Sequence, residues 1–209
     1  MDRHVDSPED SSFIASGVSD FNRARKKTGM PISKYLSIME IGCGLGRMTE
    51  AMAPHYKKIT AIDISDQFIQ WARLNSSSTN VQYTIINSCN FNIISQLDYD
   101  IAISYEVFHY LDHATLKNYF CSVAERSNRT LYFQMNTLAI SIRTRASRII
   151  RRTLNSIGIK EWRRWPTDPR FFHQVHDIQM IKDLLFEAGF KKLCIVDPVT
   201  QDTWFIASN

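Results

Sequence analysis

The sequence predicts an α/β protein with a doubly wound, mostly parallel sheet of seven strands that ends in a C-terminal antiparallel hairpin. Two observations lead to this prediction. Seven short apolar segments alternate with segments of helical pattern, which is typical of a parallel sheet covered by helices on both faces. The last two apolar segments are separated by residues 197–202, too few for a crossover helix, so they are expected to pair antiparallel.

Local signals place the individual elements. The predicted strands cover residues 37–41, 59–63, 81–86, 100–104, 130–135, 190–196 and 203–207. The helices between them are predicted to begin near Arg47, Asp66, Asn92, Asp112 and Asp177. Asp112 and Asp177 suit the N-cap because an aspartate carboxylate accepts backbone N–H bonds there. Gly189 suits the end of the last helix because glycine readily adopts the left-handed conformation.

The size of the chain indicates one domain. It has 209 residues and a hydrophobic fraction of 44%, enough for one core, so residues 1–209 are expected to form a single domain. Helix-start signals around Pro8 and an end signal at Gly29 predict a leading helical segment over about 6–29. Two arrangements of this segment remain open, a cover over a binding site and a solvent-facing leader.

The cysteines and the N-terminus indicate a cytoplasmic protein. The thiols are scattered without a C-x-x-C pair, as is typical of reduced, buried cysteines. They are Cys43, Cys89, Cys121 and Cys194. The N-terminus lacks an apolar signal core, and no apolar run approaches the ~18 residues that a membrane span needs. We therefore expect a cytoplasmic location without a transmembrane segment.

The turn after the first strand has the features of a nucleoside-binding loop. Glu40 is followed by three glycines at alternate positions, Gly42, Gly44 and Gly46. Glycine lacks a Cβ, so the backbone there can approach a ligand closely. Asp63 lies 21 residues after Gly42, about where a βαβ unit places a carboxylate on ribose hydroxyls. The third glycine comes one position earlier than in a dinucleotide fingerprint, and Glu40 would suit a cationic ligand better than a pyrophosphate.

With these motifs the chain resembles the class I S-adenosylmethionine-dependent methyltransferases of the small-molecule type. Their first motif, an acidic residue followed by G-x-G-x-G, corresponds to Glu40 and the three glycines, and their second motif corresponds to Asp63. The resemblance covers roughly residues 35–136 well and 170–209 in outline. It implies a Rossmann-like methyltransferase fold, with the last strand inserted antiparallel, and S-adenosylmethionine as the cofactor.

The resemblance assigns eight residues to the cofactor. They are Glu40, Gly42, Gly44, Gly46, Asp63, Ile64, Ser88 and Ser104. It implies that the glycine loop cradles the methionine portion and that Glu40 orients the amino group through water. Asp63 would accept hydrogen bonds from both ribose hydroxyls, and Ile64 would offer adenine an apolar surface. Ser88 lies in the segment that contacts adenine in the family, although the usual acidic residue is absent there.

The loop after the fourth strand, residues 104–110, would face the methyl group. In many small-molecule methyltransferases a histidine in this loop is the general base, and His109 occupies a matching position. Imidazoles ordinarily titrate near neutral pH, which suits that role. A packing role for His109 is the alternative, and Glu106 is either a reserve base or a cofactor contact. Tyr105, Glu106 and Tyr110 are assigned to the acceptor.

A basic insert over about 137–169 is expected to act as a substrate lid. Residues 143–164 contain eight basic side chains and one acid, although the net charge of the whole chain is +4. Three interpretations stay open: a solvated amphipathic helix, a lid that holds phosphate or carboxylate, and a helix on a membrane surface. Three residues are assigned to the acceptor: Arg148, Trp162 and His173. No metal is expected, because the pair His173 and His176 has no third ligand at a sensible spacing.

The expected function is methylation of a small molecule. The reaction is expected to be O-methylation of a hydroxyl on a carbohydrate or natural product, and the acceptor is expected to be anionic or to contain a sugar. One alternative is a nucleic-acid methyltransferase, with the arginines and tryptophans of the insert binding phosphates and bases. The loop after strand four lacks the N/D-P-P-Y motif of DNA amino-methyltransferases, which disfavours that alternative. The other alternative is a protein that binds S-adenosylmethionine without catalysing a reaction. The sequence leaves the oligomeric state open.

Overall fold

The computed structural model describes residues 11–87, 91–126, 128–139, 141–163, 165–169, 172, 174 and 176–209. Its strands are β1 (Ser33–Ile41), β2 (Tyr56–Asp63), β3 (Val81–Ile85), β4 (Ile101–Ser104), β5 (Thr130–Met135), β6 (Glu161–Trp162), β7 (Trp165–Pro166), β8 (Lys192–Val196) and β9 (Thr203–Ser208). Its α-helices are α1 (Ser11–Thr28), α2 (Arg47–Met52), α3 (Asp66–Asn75), α4 (Asn92–Gln96), α5 (His113–Ala124), α6 (Ile142–Ser156) and α7 (Ile178–Ala188).

Seven of the strands form one sheet in the order β3-β2-β1-β4-β5-β9-β8. The first five of these are parallel to one another, whereas β9 pairs antiparallel with both β5 and β8. This arrangement confirms the predicted fold class, including the closing hairpin. The remaining strands, β6 and β7, pair antiparallel with each other outside the main sheet.

The predicted helix starts are also confirmed, and the caps explain them. The Asp112 carboxylate accepts a hydrogen bond from the Thr115 N–H at 2.8 Å, which satisfies a donor in the first turn of α5. Asp177 caps α7 in the same way. Gly189 ends α7 at a φ of 110°, in the left-handed region that favours glycine.

Two apolar clusters, one on each face, hold the sheet between layers of helices. One cluster contains Phe21 of α1, Met52 of α2 and Ile69 of α3, all at most 1% exposed. The other contains Phe120 of α5 and Leu185 of α7, both fully buried. The inner strands β2, β4 and β5 are largely buried on both faces, so their sequences are nearly continuous apolar runs rather than alternating patterns.

The leading helix α1 packs on the start of α2. A Cβ atom on Gly17 would lie 2.1 Å from the carbonyl oxygen of Arg47, so the two backbones touch where glycine permits it. Asp20 is 1% exposed and forms an ion pair with Arg47 at 2.6 Å. Helix α1 therefore packs beside the glycine-rich turn; residues 6–10, where the leading segment was predicted to begin, lie outside the described residues.

The basic insert leaves the sheet at the carboxyl end of β5. Just after that end, the Thr137 N–H donates to the Thr200 carbonyl at 3.0 Å, and α6 with the β6–β7 hairpin follows. The chain then returns to the loop after β4, where the Gln174 N–H donates to the His109 carbonyl at 2.6 Å. None of the described helices has the length and apolar character needed to cross a membrane.

Candidate active site

Three parallel strands end side by side where a ligand is expected to bind. Ile41 at the end of β1 is in register with Ile62 of β2 on one side and with Ser104 of β4 on the other. Open α/β sheets bind ligands beyond the carboxyl ends of such strands. Ser104 is buried, and its hydroxyl donates to the Ile41 carbonyl at 3.2 Å, so its visible role is to join β1 to β4.

The glycine-rich turn is fixed at both ends and open at its centre. Gly42 and Gly46 have φ angles of 77° and 85°, which favour glycine. A Cβ on Gly42 would lie 2.3 Å from Val107, and one on Gly46 would lie 2.5 Å from the Tyr83 hydroxyl. At Gly44, by contrast, none of the described atoms lies within 4 Å of an added Cβ. The centre of the turn is therefore the part that is free to meet a ligand.

Asp63 connects the end of β2 to this turn. One of its carboxylate oxygens accepts the Gly44 N–H at 2.8 Å, and the other accepts the Ser65 N–H at 2.9 Å. The N-cap of α3 is Ser65, whose hydroxyl accepts the Phe68 N–H, so the cap does not need Asp63. Each carboxylate oxygen keeps further acceptor capacity, which two ribose hydroxyls can use.

An exposed apolar surface lies beside Asp63. Ile64 is 69% exposed, which is unusual for an isoleucine next to a buried strand and suits stacking on a nucleobase. Ile85, paired in register with Asp63 across the β2–β3 ladder, is exposed too. Ser88, assigned to the adenine contact, lies outside the described residues.

Glu40 lies within β1, buried below the turn. It accepts a hydrogen bond from the Thr49 hydroxyl of α2. Burial raises the pKa of Glu40 to about 7; the Thr49 hydrogen bond and Arg47 oppose this rise, and Asp63 adds to it. A buried carboxylate that is poised to lose its proton near neutral pH fits a cationic ligand better than an anionic one.

The loop after β4 holds the candidate base. His109 is 1% exposed, and its Nε2 lies 3.7 Å from a carboxylate oxygen of Glu106. The Tyr110 ring lies 4.4 Å from the imidazole, centre to centre, and burial raises the pKa of the Tyr110 hydroxyl. Glu106 adopts a left-handed φ of 59°, a costly conformation for a non-glycine residue that is typical of functional loops. Glu106 and Tyr110 reach solvent, whereas His109 does not.

Tyr105, which was assigned to the acceptor, is part of the core instead. Its ring stacks on Trp204 with 5.8 Å between centres, and its hydroxyl donates to the Asp20 carboxylate at 3.2 Å. Strand alternation explains the difference, because Tyr105 directly follows Ser104 and turns its side chain toward α1. Tyr105 thus links α1 to the loop that carries His109.

The segment after the insert contacts α6 at Phe172 and this loop at Gln174. Phe172 is 4% exposed, and three guanidinium groups surround it at 4.1–6.0 Å from the ring centre. They belong to Arg148, Arg151 and Arg152. Two residues further on, Gln174 is bonded to the His109 backbone.

The other acceptor residues divide between the described and the undescribed parts of the chain. Trp162 is partly buried, with the Arg163 guanidinium 4.7 Å from its ring centre. His173 lies outside the described residues. Its neighbour His176 is 1% exposed and lies against His113, with 5.5 Å between ring centres. Within the described part of the chain, no three His, Cys, Asp or Glu side chains are grouped to hold a metal ion.

Three residues with clear roles at the site were absent from the assignments made on the sequence: Asp20, Arg151 and Phe172. For Asp20 a signal existed, because an acid at helical spacing from Phe13, Gly17 and Ala24 interrupts an otherwise apolar face. Arg151 and Phe172 gave no such signal, because their proximity depends on how the insert folds back.

The residues at the strand ends fit a nucleoside that carries a positive charge. The open centre of the turn admits a ligand, Asp63 has acceptor capacity for ribose hydroxyls, and Ile64 presents a bare apolar surface. Glu40 below the turn supplies a carboxylate for a cation.

Comparisons with known proteins agree with this fit. A family model described as a methyltransferase domain matches residues 38–128. In sequence the chain is 28% identical to nodulation protein S of Bradyrhizobium diazoefficiens over 39% of this chain and 41% of that protein. It is also 40% identical to a ubiquinone biosynthesis O-methyltransferase of Xanthomonas campestris, over 22% of this chain and 19% of that protein.

Solved structures share the fold across nearly the whole chain. Human N-acetylserotonin methyltransferase in complex with S-adenosylmethionine has a TM-score of 0.62 at 14% identity, covering 94% of this chain and 56% of that one. The N-methyltransferase NodS of Bradyrhizobium japonicum has a TM-score of 0.51 at 18% identity, covering 95% of this chain and 96% of that one.

The chain therefore has the fold of the class I S-adenosylmethionine-dependent methyltransferases, and residues 38–128 match the methyltransferase-domain family model. S-adenosylmethionine is the cofactor of that class. The match spans less than half the length of each of these two sequence relatives.

Proposed function

We propose that this chain binds S-adenosylmethionine and methylates a hydroxyl group of a small molecule. The observation that carries the proposal is the meeting of the glycine turn, Asp63 and the His109 loop at one edge of the sheet. When bound, S-adenosylmethionine supplies an electrophilic methyl group on a sulfonium. The protein then has to hold the cofactor, align the acceptor and remove its proton.

Asp63 is proposed to hold the ribose. Its two oxygens are already fixed by the Gly44 and Ser65 N–H groups at 2.8 and 2.9 Å, so the carboxylate is oriented before a ligand arrives. A preoriented acceptor loses little side-chain entropy on binding, which favours affinity. Ile64 would cover one face of the adenine, and Glu40 would balance the positive charge of the methionine portion.

His109 is proposed to be the general base. The Glu106 carboxylate, 3.7 Å from Nε2, would stabilise the imidazolium that forms when His109 takes the acceptor's proton. The left-handed backbone at Glu106 is consistent with this role, because strained conformations cluster at functional sites. Glu106 reaches solvent, so it would meet the acceptor first and is the reserve base.

The acceptor is proposed to carry a carboxylate or phosphate, with the insert of residues 137–169 as its lid. Arg148, Arg151 and Arg152 converge on Phe172, and the following segment is bonded to the His109 backbone. Guanidinium groups pair with carboxylates and phosphates through two parallel hydrogen bonds. Desolvation lowers the pKa of Arg148 and Arg151, so an anion there would relieve an electrostatic cost.

Methylation of nitrogen is the second candidate. It is favoured by the likeness to NodS, which is described as an N-methyltransferase and whose solved chain is covered almost completely. A neutral amine attacks the sulfonium without first losing a proton and gives up its proton only after the transfer, so this candidate depends less on a base such as His109 than hydroxyl methylation does. The nucleic-acid alternative is less supported, because α6 turns isoleucines rather than its full set of arginines to solvent.

The first experiment measures the cofactor. Titration calorimetry with S-adenosylmethionine is expected to show binding by the wild type, and absence of binding would overturn the proposal as a whole. Transfer of a labelled methyl group to a panel of hydroxy acids and sugar phosphates, each beside its amine counterpart, then separates oxygen from nitrogen acceptors.

The second experiment tests the base. Once an acceptor is found, His109→Gln is expected to lower turnover about 100-fold or more while leaving cofactor affinity unchanged. Glu106→Gln is the matched variant and is expected to lower turnover less, because it removes only the partner of the imidazole. A His109→Gln enzyme with wild-type turnover would assign the base elsewhere, and a larger loss in Glu106→Gln would make Glu106 the base.

A further inference from the structure

Helix α6 is amphipathic in the opposite sense to a helix that packs on a core. All fifteen of its residues are described, and the one buried side chain among them is Arg151, at 8% exposure. Its isoleucines point outward instead, with Ile142 at 85% and Ile149 at 65% exposure. Burying an arginine and exposing isoleucines costs free energy in water, so this orientation requires an explanation.

The outward isoleucines form one continuous face. Ile142, Ala146, Ile149 and Thr153 follow one another at intervals of four, three and four residues, which places them on one side of the helix, and all are exposed. Ile157, at 67% exposure, extends the same side past the end of α6. Singly exposed apolar residues are ordinary, but an apolar stripe of several turns marks an interaction surface.

Basic residues border this face. Arg143, Arg145 and Arg152 are exposed on α6, and Lys160 and Arg163 are exposed just beyond it. The helix itself carries five arginines and no acid. Trp165, at 52% exposure, follows in the β6–β7 hairpin and adds an aromatic side chain of the kind enriched at membrane interfaces.

We propose that the outer face of α6 docks on the surface of an anionic phospholipid membrane. An apolar face about four turns long with basic residues on its borders matches helices that lie in the plane of the headgroups. Each basic residue near such a surface adds attraction to the negative headgroups. The orientation of α6 then has a reason, because isoleucines that are exposed in water would be buried among acyl chains.

Charge distinguishes this partner from a second copy of the chain. In a symmetric dimer through this face, the basic border of one copy, formed by Arg143, Arg145 and Arg152, would face the basic border of the other. Like charges brought together at an interface oppose association. An anionic surface complements the same border, so the charge pattern favours lipid over self-association.

The test is flotation of the purified chain with lipid vesicles. Binding is expected to vesicles of phosphatidylcholine mixed with phosphatidylglycerol, to weaken on addition of salt, and to be much weaker on phosphatidylcholine alone. The double variant Ile142→Ser, Ile149→Ser is expected to reduce binding by about tenfold or more per isoleucine. Both side chains are exposed, so the variant is expected to fold, which circular dichroism checks.

Leu74→Ser is the matched control. Leu74 is 85% exposed on α3, as Ile142 is on α6, and its replacement should leave vesicle binding unchanged. Binding that is equal on neutral and anionic vesicles, or equal in the double variant and the wild type, would overturn the proposal. So would a wild-type dimer, measured by light scattering, that the double variant converts to a monomer without any vesicle binding. These readouts need neither cofactor nor acceptor, so they stand apart from the proposed enzymatic function.

Discussion

Asp20 of α1 forms an ion pair at 2.6 Å with Arg47, the residue that directly follows the last glycine of the cofactor turn. The pair fixes the end of the turn from outside the sheet. Asp20 also accepts a hydrogen bond from Tyr105, at the start of the loop that carries His109. One buried carboxylate of α1 thus contacts both the residue after the glycine turn and the start of the loop that carries His109.

Asp20→Asn is predicted to lower the free energy of unfolding by about 2–3 kcal/mol. The amide keeps the shape and an acceptor for Tyr105 but leaves Arg47 without its counter-charge, and Asp20 is 1% exposed. Urea denaturation measures the change. Asp202→Asn is the control, because Asp202 pairs with Arg23 at a more exposed site and its loss should cost at most about 1 kcal/mol. Equal effects of the two substitutions would contradict the role given to Asp20.

Asp63→Asn is predicted to weaken binding of S-adenosylmethionine by about tenfold or more. An amide can accept from only one of the Gly44 and Ser65 N–H groups and turns a donor toward the other, and it also loses the charge that strengthens bonds from ribose hydroxyls. Calorimetry measures the affinity. Asp66→Asn, a change in an exposed side chain that bonds to Gln70, should leave it unchanged. An unaltered affinity in Asp63→Asn would remove Asp63 from the cofactor site.

Glu40 is predicted to make the folded chain less stable as pH rises. Its pKa is about 7 in the folded state and 4.5 in a solvated reference, so the folded state binds more protons between these values. Stability from this group is present below pH 4.5 and is lost as pH rises through about 7, by about 3 kcal/mol at most. Glu40→Gln should therefore exceed wild type in stability at pH 8 and approach it near pH 4.5. A difference between the two proteins that is independent of pH would refute the assignment.

His176 is predicted to have the opposite dependence. Burial, followed by the nearby His113, lowers its pKa to about 4 from the ordinary 6.5, so the unfolded state binds more protons between these values. Its contribution is intact above pH 6.5 and is lost as pH falls through about 4, by about 2–3 kcal/mol. His176→Gln should flatten the acid side of the stability profile, measured by thermal unfolding between pH 4 and 7. An unchanged acid side would show that the pKa of His176 is not lowered in the folded chain.

The sheet and the position of the glycine turn and Asp63 at its strand ends were predictable from the sequence because short-range rules determine them. Strand ends, the glycine turn and Asp63 lie on regular elements whose register follows from apolar runs. The caps at Asp112 and Asp177 depend on a few adjacent residues. Such features need no knowledge of which distant segments meet.

The acceptor half was less predictable because it depends on which face of an element meets the rest of the chain. The helical spacing in α6 separates arginines from isoleucines, but spacing alone does not tell which face turns inward, and the usual preference for buried isoleucine is reversed here. The side chain of Tyr105 was likewise misassigned, because a position on a functional loop does not fix its direction. Both outcomes depend on tertiary packing that local pattern cannot encode.

The tightly packed ends of the glycine turn limit which amino-acid replacements the turn tolerates. A side chain at position 42 or 46 would clash with Val107 or Tyr83 and would also have to adopt a left-handed φ of 77° or 85°, so a smaller neighbour alone does not make these positions replaceable. Position 44 meets no described atom and is limited by its φ of 54° alone, which asparagine tolerates. A library randomised over the turn should therefore yield folded proteins with replacements at position 44, asparagine foremost, and should retain glycine at positions 42 and 46.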